Sequence, residues 1–284
     1  MNRFGEAGNE PRAKAAGRLA LLGGRIALDL SGQFLSGWKP DGSMVTNVDV
    51  AIQARLCTEI KSLFPKDGIL AEEGKVPVTW LPDARYWWVL DPLDGTANFG
   101  QGIPGFSISV GILRGGMPFV GAVYDPTADW LYTACLGHGA WHNGRRLQLQ
   151  PQPLSARSMV SIRTPYENQV PSYVLRWLCR HRLRRFGSTA LQLCYVASGA
   201  LSLVHDQRAY LWDLAGAAAV VAEAGGVLTR ADGSALFPFP PATYRGEPIA
   251  FLAGDPLGHA EGLADITHDS RVVTTRTEQA AHGD

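Results

Sequence analysis

Apolar positions along this chain switch between helical and strand periods. Apolar residues from Ala15 to about Leu35 form a helix candidate, despite Gly23-Gly24. Ile52, Leu56, Ile60 and Leu63 share one helical face, which predicts a second helix starting near Asp49 and stopped by Pro65 to Gly68. Ile69-Leu70 and Tyr86 to Leu90 read as strands. Phe106 to Leu113 and Phe119 to Tyr124 read as a hairpin about Arg114-Gly115-Gly116. Leu131 to Ala134 and Gly139 to Trp141 predict further strands, with a tight turn at Asn143-Gly144. Near Pro151-Gln152-Pro153 the chain enters a second half. There Ser158 to Ile162 is a strand candidate, and Tyr173 to Cys179 and Leu191 to Ser198 are helix candidates, the last ending at Gly199. An Ala-rich helix follows Asp213, which stands where an N-cap belongs, and stops at Gly225. Residues 1–16 are expected to be a mobile lead and 266–284 a flexible tail.

Composition narrows the function classes. A 46% hydrophobic content is ample for a buried core, and a net charge of +0 gives no global field for nucleic acid. The basic cluster Arg180 to Arg185 reads as a solvated face. No apolar run is long enough to span a membrane, and residues 1–16 lack an apolar signal core. Cys57, Cys135, Cys179 and Cys194 lack Cys-x-x-Cys spacing, so buried apolar roles in a reduced, cytoplasmic setting are expected. The histidines, His138, His142 and His205 among them, form no metal-ligand pattern.

The candidate chemistry lies in acids at element ends. Tyr86 to Leu90 leads into Asp91-Pro92-Leu93-Asp94-Gly95-Thr96-Ala97-Asn98-Phe99. A strand that stops at Asp91 delivers a carboxylate at a sheet edge. Pro92 stiffens the turn, Asp94 can aim at the same spot, and Gly95 lets a ligand approach the backbone. A helix starting at Thr96 favours an anion. Two carboxylates beside such a start suit Mg²⁺ held between protein and phosphate. Taken alone, Asp-Pro and Asp-Gly also make ordinary surface turns. Glu72-Glu73 after Ile69-Leu70-Ala71, and Asp213 after Leu211-Trp212, bring further carboxylates to element ends beside glycine or a helix start.

These motifs, in this order, resemble the inositol monophosphatase family of Mg²⁺-dependent, Li⁺-sensitive sugar phosphatases. Glu72-Glu73, Trp88 to Phe99 and Trp212 to Gly216 carry the resemblance, with Lys39 to Asp49 as a fourth element, and the match spans approximately residues 17 to 265. The resemblance implies an α/β (α+β) fold, a layered αβαβα sandwich of two closely packed halves. Residues 17–150 would bind metal and phosphate, and residues 151–265 would contact substrate. It implies Glu72, Asp91 and the Leu93 carbonyl as ligands of one cation, and Asp91, Asp94 and Asp213 as ligands of a second. Glu72 also faces a third position. Two or three Mg²⁺ per subunit are therefore expected, with Mn²⁺ as a substitute and Li⁺ inhibitory. Asp49, Thr96 and Glu72 are the implied catalytic residues, with Asp49 and Thr96 orienting and deprotonating water. Lys39, Gly95, Thr96, Gly187, Ser188, Thr189 and Asp206 are the implied substrate contacts.

The implied activity is hydrolysis of a small phosphorylated metabolite by a homodimer, with no membrane or nucleic-acid partner. Inositol-1-phosphate or a similar polyol phosphate ranks first and histidinol phosphate second. Fructose bisphosphate and adenosine 3′,5′-bisphosphate follow. Asp206 stands where inositol-specific members carry Glu. A non-enzymatic role as an RNA-processing or transcription partner is the alternative from another class.

Overall fold

The computed structural model describes residues 3–38, 44–73, 81, 83–166 and 169–280, with side chains described as far as residue 268. The chain opens with a 3₁₀ turn (Gly5–Asn9) and α1 (Pro11–Asp29). A short antiparallel pair follows, β1 (Ser36–Trp38) and β2 (Met44–Thr46), and then α2 (Asn47–Leu63). Seven strands form the first sheet in sequence order: β3 (Gly68–Ala71), β4 (Tyr86–Asp94), β5 (Ser107–Arg114), β6 (Met117–Asp125), β7 (Trp130–Cys135), β8 (Ala140–His142) and β9 (Arg145–Leu147). The β3–β4 pair is parallel and the other pairs are antiparallel. Between β4 and β5 lies the short helix α3 (Thr96–Gly100).

The second half builds β10 (Met159–Ile162), α4 (Ser172–Arg180), β11 (Arg182–Arg184), α5 (Thr189–Ala197), β12 (Leu203–Ala209), α6 (Leu211–Glu223), β13 (Val227–Arg230), β14 (Ile249–Gly254) and α7 (Pro256–Ala280). Its five strands run in the order β11-β10-β12-β14-β13, with β11, β10 and β12 mutually parallel.

Strand alternation divides the core between layers. In β4, Trp88 and Leu90 face α1 and α2, whereas Trp87 and Val89 face α5 and α6. A third cluster, with Trp177, Leu203 and Leu252, packs the second sheet against α4 and α7. The five layers are α1/α2, first sheet, α5/α6, second sheet and α4/α7, the αβαβα sandwich expected. Glycine sets the spacing at the centre. A Cβ on Gly121 of β6 would lie 2.0 Å from the Gly216 carbonyl oxygen of α6. The helix therefore rests directly on the sheet backbone.

Several expectations need correction. The first helix begins at Pro11 and ends at Asp29, rather than running from Ala15 to Leu35. Pro11 suits the first helical position and Glu10 caps it. Residues 3–16 are packed rather than a mobile lead: Ala7, Ala13 and Ala16 are buried, and Arg12 bonds Asp67 at 2.9 and 3.0 Å beneath the Tyr86 ring. Residues 266–280, expected as flexible tail, continue α7. Cys179 is exposed, while the other three cysteines are buried as expected. β4 does not stop at Asp91 but runs to Asp94, with a register shift that accommodates Pro92.

Candidate active site

The parallel β3–β4 pair brings the first two acids together. Its register sets Ala71 opposite Leu90, so Glu72, just beyond β3, lies beside Asp91 of β4. The Glu72 N–H donates to the Leu90 carbonyl at 3.2 Å, and Gln53 of α2 anchors Glu73 by accepting its N–H at 2.9 Å. Asp91 is 1% exposed and accepts the Leu93 N–H at 3.0 Å. The shift after Asp91 turns Asp94 toward the second half. There Asp94 accepts the Ser188 hydroxyl at 2.6 Å and the N–H groups of Thr189 and Ala190 at 3.2 and 2.7 Å. A carboxylate has about four acceptor sites, so Asp94 ties the start of α5 to β4 and retains capacity for a cation.

Two acids are placed by capping boxes. Asp213 is not the N-cap expected but lies within the first turn of α6, where it accepts the Tyr210 N–H at 2.9 Å. Asp49 likewise lies inside α2, which begins at Asn47 and is capped by Thr46; its Oδ2 accepts the Thr46 N–H at 2.8 Å. The remaining oxygen of Asp49 faces Thr96 Oγ1 at 3.0 Å, and Thr96 Oγ1 also lies 2.9 Å from the Leu93 carbonyl. One hydroxyl proton serves these two acceptors. Gly95 precedes Thr96 at φ +95°, and a Cβ there would meet the Gly105 carbonyl at 3.1 Å. Asn98 fastens this turn by donating to the carbonyls of Gly105 at 2.8 Å and Phe186 at 2.6 Å.

These elements line a cleft of about 310 Å³ between the two halves. Glu72, Asp91, Asp94 and Asp213 share one wall; Arg163, Arg185 and Asp206 stand on the side formed by the second sheet. The acids crowd one another. Asp91 is pushed well above the usual carboxylate range by burial first, then by Glu72, Asp94 and Asp213. Burial, then Asp94 and Glu72, push Asp213 in the same direction. Burial raises Asp94 to about 6 against its hydrogen bonds. Among the described residues no three His, Cys, Asp or Glu side chains are drawn close enough together to hold a metal ion by themselves. An open, all-oxygen wall with excess negative charge fits Mg²⁺, which keeps waters and substrate phosphate in its shell, better than it fits Zn²⁺.

Most of the expected site residues meet here. Leu93, Gly95, Thr96, Gly187, Thr189 and Asp206 also line the cleft, and Asp49 stands behind Thr96. Ser188 does not: it is fully buried with its hydroxyl on Asp94, so it positions a carboxylate rather than touching substrate. Lys39 lies outside the described residues. Sequence reasoning missed Arg163, Arg185 and Asn98. Arg185 belongs to the basic cluster read as a solvated face.

The sequence profile of the inositol monophosphatase family matches residues 13–271. The chain belongs to the inositol monophosphatase family. It is similar to inositol monophosphatase 1 of Sus scrofa, 36% identical over 199 residues that cover 65% of this chain and 70% of that protein. It is also similar to the Nus factor SuhB of Pasteurella multocida, 34% identical over 207 residues, 69% of this chain and 74% of that one. Among solved structures, the Thermotoga maritima IMPase superposes with a TM-score of 0.81 at 27% identity, covering 93% of this chain and 100% of that one. The family's inositol monophosphatase and SuhB members thus share this fold.

Proposed function

We propose that this chain hydrolyses a small phosphomonoester of a polyol or sugar in a divalent-metal-dependent reaction, with inositol-1-phosphate as the reference substrate. One observation carries the reading: buried Asp91 stands at the register shift of β4 among Glu72, Asp94 and Asp213, next to the Thr96–Asp49 pair. Such a cluster is costly in an empty protein and useful beside cations and a phosphate.

In this reading Glu72, Asp91 and the Leu93 carbonyl would hold one Mg²⁺, and Asp91, Asp94 and Asp213 would hold a second. When bound, the cations supply charge neutralisation and water activation. The protein supplies position and proton handling. Asp91 is held within β4 at its register shift, and Asp94 is fixed by three hydrogen bonds. The Thr96 hydroxyl accepts a proton from the attacking water as its own passes to Asp49 Oδ1, 3.0 Å away. Burial already raises the Asp49 carboxyl, which makes it a better proton acceptor. With its proton on Asp49, the Thr96 hydroxyl would leave the Leu93 carbonyl oxygen available to help hold a cation. The Gly95 and Thr96 N–H groups at the start of α3 lack intrahelical acceptors and face phosphate oxygens in this reading.

The test is phosphate release from inositol-1-phosphate, histidinol phosphate and p-nitrophenyl phosphate, in Mg²⁺ and in EDTA. EDTA-sensitive release is expected. Equal release in EDTA, or none in Mg²⁺, overturns the reading. The similarity to a Nus factor keeps a role as an RNA-processing or transcription partner as the alternative, and the carboxylates gathered at the cleft favour the enzymatic reading.

A further inference from the structure

The acids of the first sheet do not all stand on the same footing. Asp91 and Asp94 lie within β4, and Asp213 is held in the first turn of α6. Glu72 follows β3, the end strand of that sheet, at the point where the chain leaves it. Its N–H still reaches the Leu90 carbonyl of β4. One residue further, a side chain takes the place of a neighbouring strand. Half-buried Gln53 of α2 engages both backbone groups of Glu73: its Oε1 accepts the N–H at 2.9 Å, and its Nε2 donates to the carbonyl. A residue on a neighbouring antiparallel strand would make the same pair of bonds. The pair also fixes the amide, because turned the other way it would set donor against donor and acceptor against acceptor.

The helix that supplies this amide also supplies Asp49. Asp49 and Gln53 are four residues apart and lie one above the other on one face of α2. Asp49 Oδ2 accepts the Thr46 N–H, and Oδ1 faces Thr96 Oγ1 at 3.0 Å; Thr96 Oγ1 lies 2.9 Å from the Leu93 carbonyl. Ile52, Leu56 and Ile60 bury α2 in the same cluster as Trp88 and Leu90 of β4. The helix and β4 are thus packed together, and Gln53 ties the Glu72-Glu73 turn to them. An end strand can be braced anywhere along its length; this brace falls on the residue next to Glu72. It is the counterpart of Ser188, which holds Asp94 from α5.

We propose that Gln53 is a positioning residue for the cation that Glu72 would hold: its amide keeps Glu72 in place beside Asp91 and the Leu93 carbonyl, from the helix that carries Asp49. This rests on the phosphomonoesterase reading and adds to it a residue that touches neither substrate nor metal. Partners that hold a metal ligand in place typically contribute about 10- to 100-fold to metal affinity.

Metal-stripped protein titrated with Mg²⁺ and followed by thermal unfolding tests this without relying on turnover. Gln53→Met keeps the length of the side chain and removes both donor and acceptor. Its Mg²⁺ midpoint is expected to rise about tenfold, and the Mg²⁺ requirement of phosphate release should rise in parallel. Gln53→Glu keeps an acceptor for the Glu73 N–H and should recover part of the loss. A merely structural residue would lower the Tm in EDTA and leave the Mg²⁺ midpoint at the wild-type value. A Gln53→Met midpoint within about twofold of wild type, below the range for such a partner, or an equal loss in Gln53→Glu, overturns the proposal and leaves the phosphatase reading standing. A wild type whose Tm ignores Mg²⁺ and that releases no phosphate from p-nitrophenyl phosphate overturns the phosphatase reading, and the role of Gln53 with it.

Discussion

Replacing Asp91 by Asn should separate function from stability. The side chain is 1% exposed, and burial, followed by Glu72, Asp94 and Asp213, pushes its carboxyl well above the model-peptide value of 3.8. Two like charges about 5 Å apart at an effective dielectric of about 20 repel by about 3 kcal/mol. Protonation relieves part of that cost, and Asn can still accept the Leu93 N–H. Removing the charge should therefore stabilise the metal-free protein by about 2 kcal/mol, or roughly 5 °C in Tm. The sign follows from linkage. A carboxyl with a raised folded pKa costs nothing below its unfolded value, where both states are protonated, and costs more as pH rises above it. The advantage of the variant should thus be absent near pH 3.8 and grow toward neutral pH. Thermal unfolding in EDTA across pH measures this, and the same scans in Mg²⁺ should show stabilisation of the wild type that the variant lacks. Phosphatase activity of the variant should be abolished. A variant less stable than wild type in EDTA at pH 8, or an advantage independent of pH, would refute the reasoning.

Other consequences follow from particular contacts. Thr96→Val should lower kcat by about 100-fold with little change in KM, whereas Thr96→Ser should retain most activity, because the relay needs the hydroxyl; steady-state kinetics on inositol-1-phosphate decide it. Gly121→Ala places a carbon 2.0 Å from the Gly216 carbonyl and should destabilise the fold by about 3 kcal/mol, visible in urea unfolding. His205 is held neutral, lowered to about 4 by burial, and is bonded to Tyr173 and the Phe251 carbonyl. The unfolded chain takes up that proton first, so about 3 kcal/mol of stability should be lost as pH falls from about 6.5 toward 4. His205→Gln should flatten that part of the Tm profile.

The first sheet and its acids were legible because the signals were local. The unbroken apolar run Tyr86 to Leu90, the glycine turn at Gly115-Gly116 and the cluster from Asp91 to Thr96 each announce their structure within ten residues. The second sheet was harder. β12 reads Leu-Val-His-Asp-Gln-Arg-Ala, with His205 and Asp206 buried through hydrogen bonds and an ion pair that no periodicity records. Arg163 and Arg185 escaped notice for a related reason. Their proximity depends on parallel pairing across more than twenty residues of intervening chain, and charged residues at strand ends look like surface until the register is known. Asp213 was found but misplaced, because an acid at the N-cap and one in the first turn give nearly the same sequence signal. The helix start at Pro11 was marked by Glu10-Pro11.

The most direct test of the site is a crystal structure with Mn²⁺ and inorganic phosphate, read by anomalous scattering. Two peaks flanking Asp91, one beside Glu72 and one beside Asp94 and Asp213, with phosphate against Thr96, are predicted. Mn²⁺ bound elsewhere, or phosphate bound with no cation at Asp91, would contradict the account.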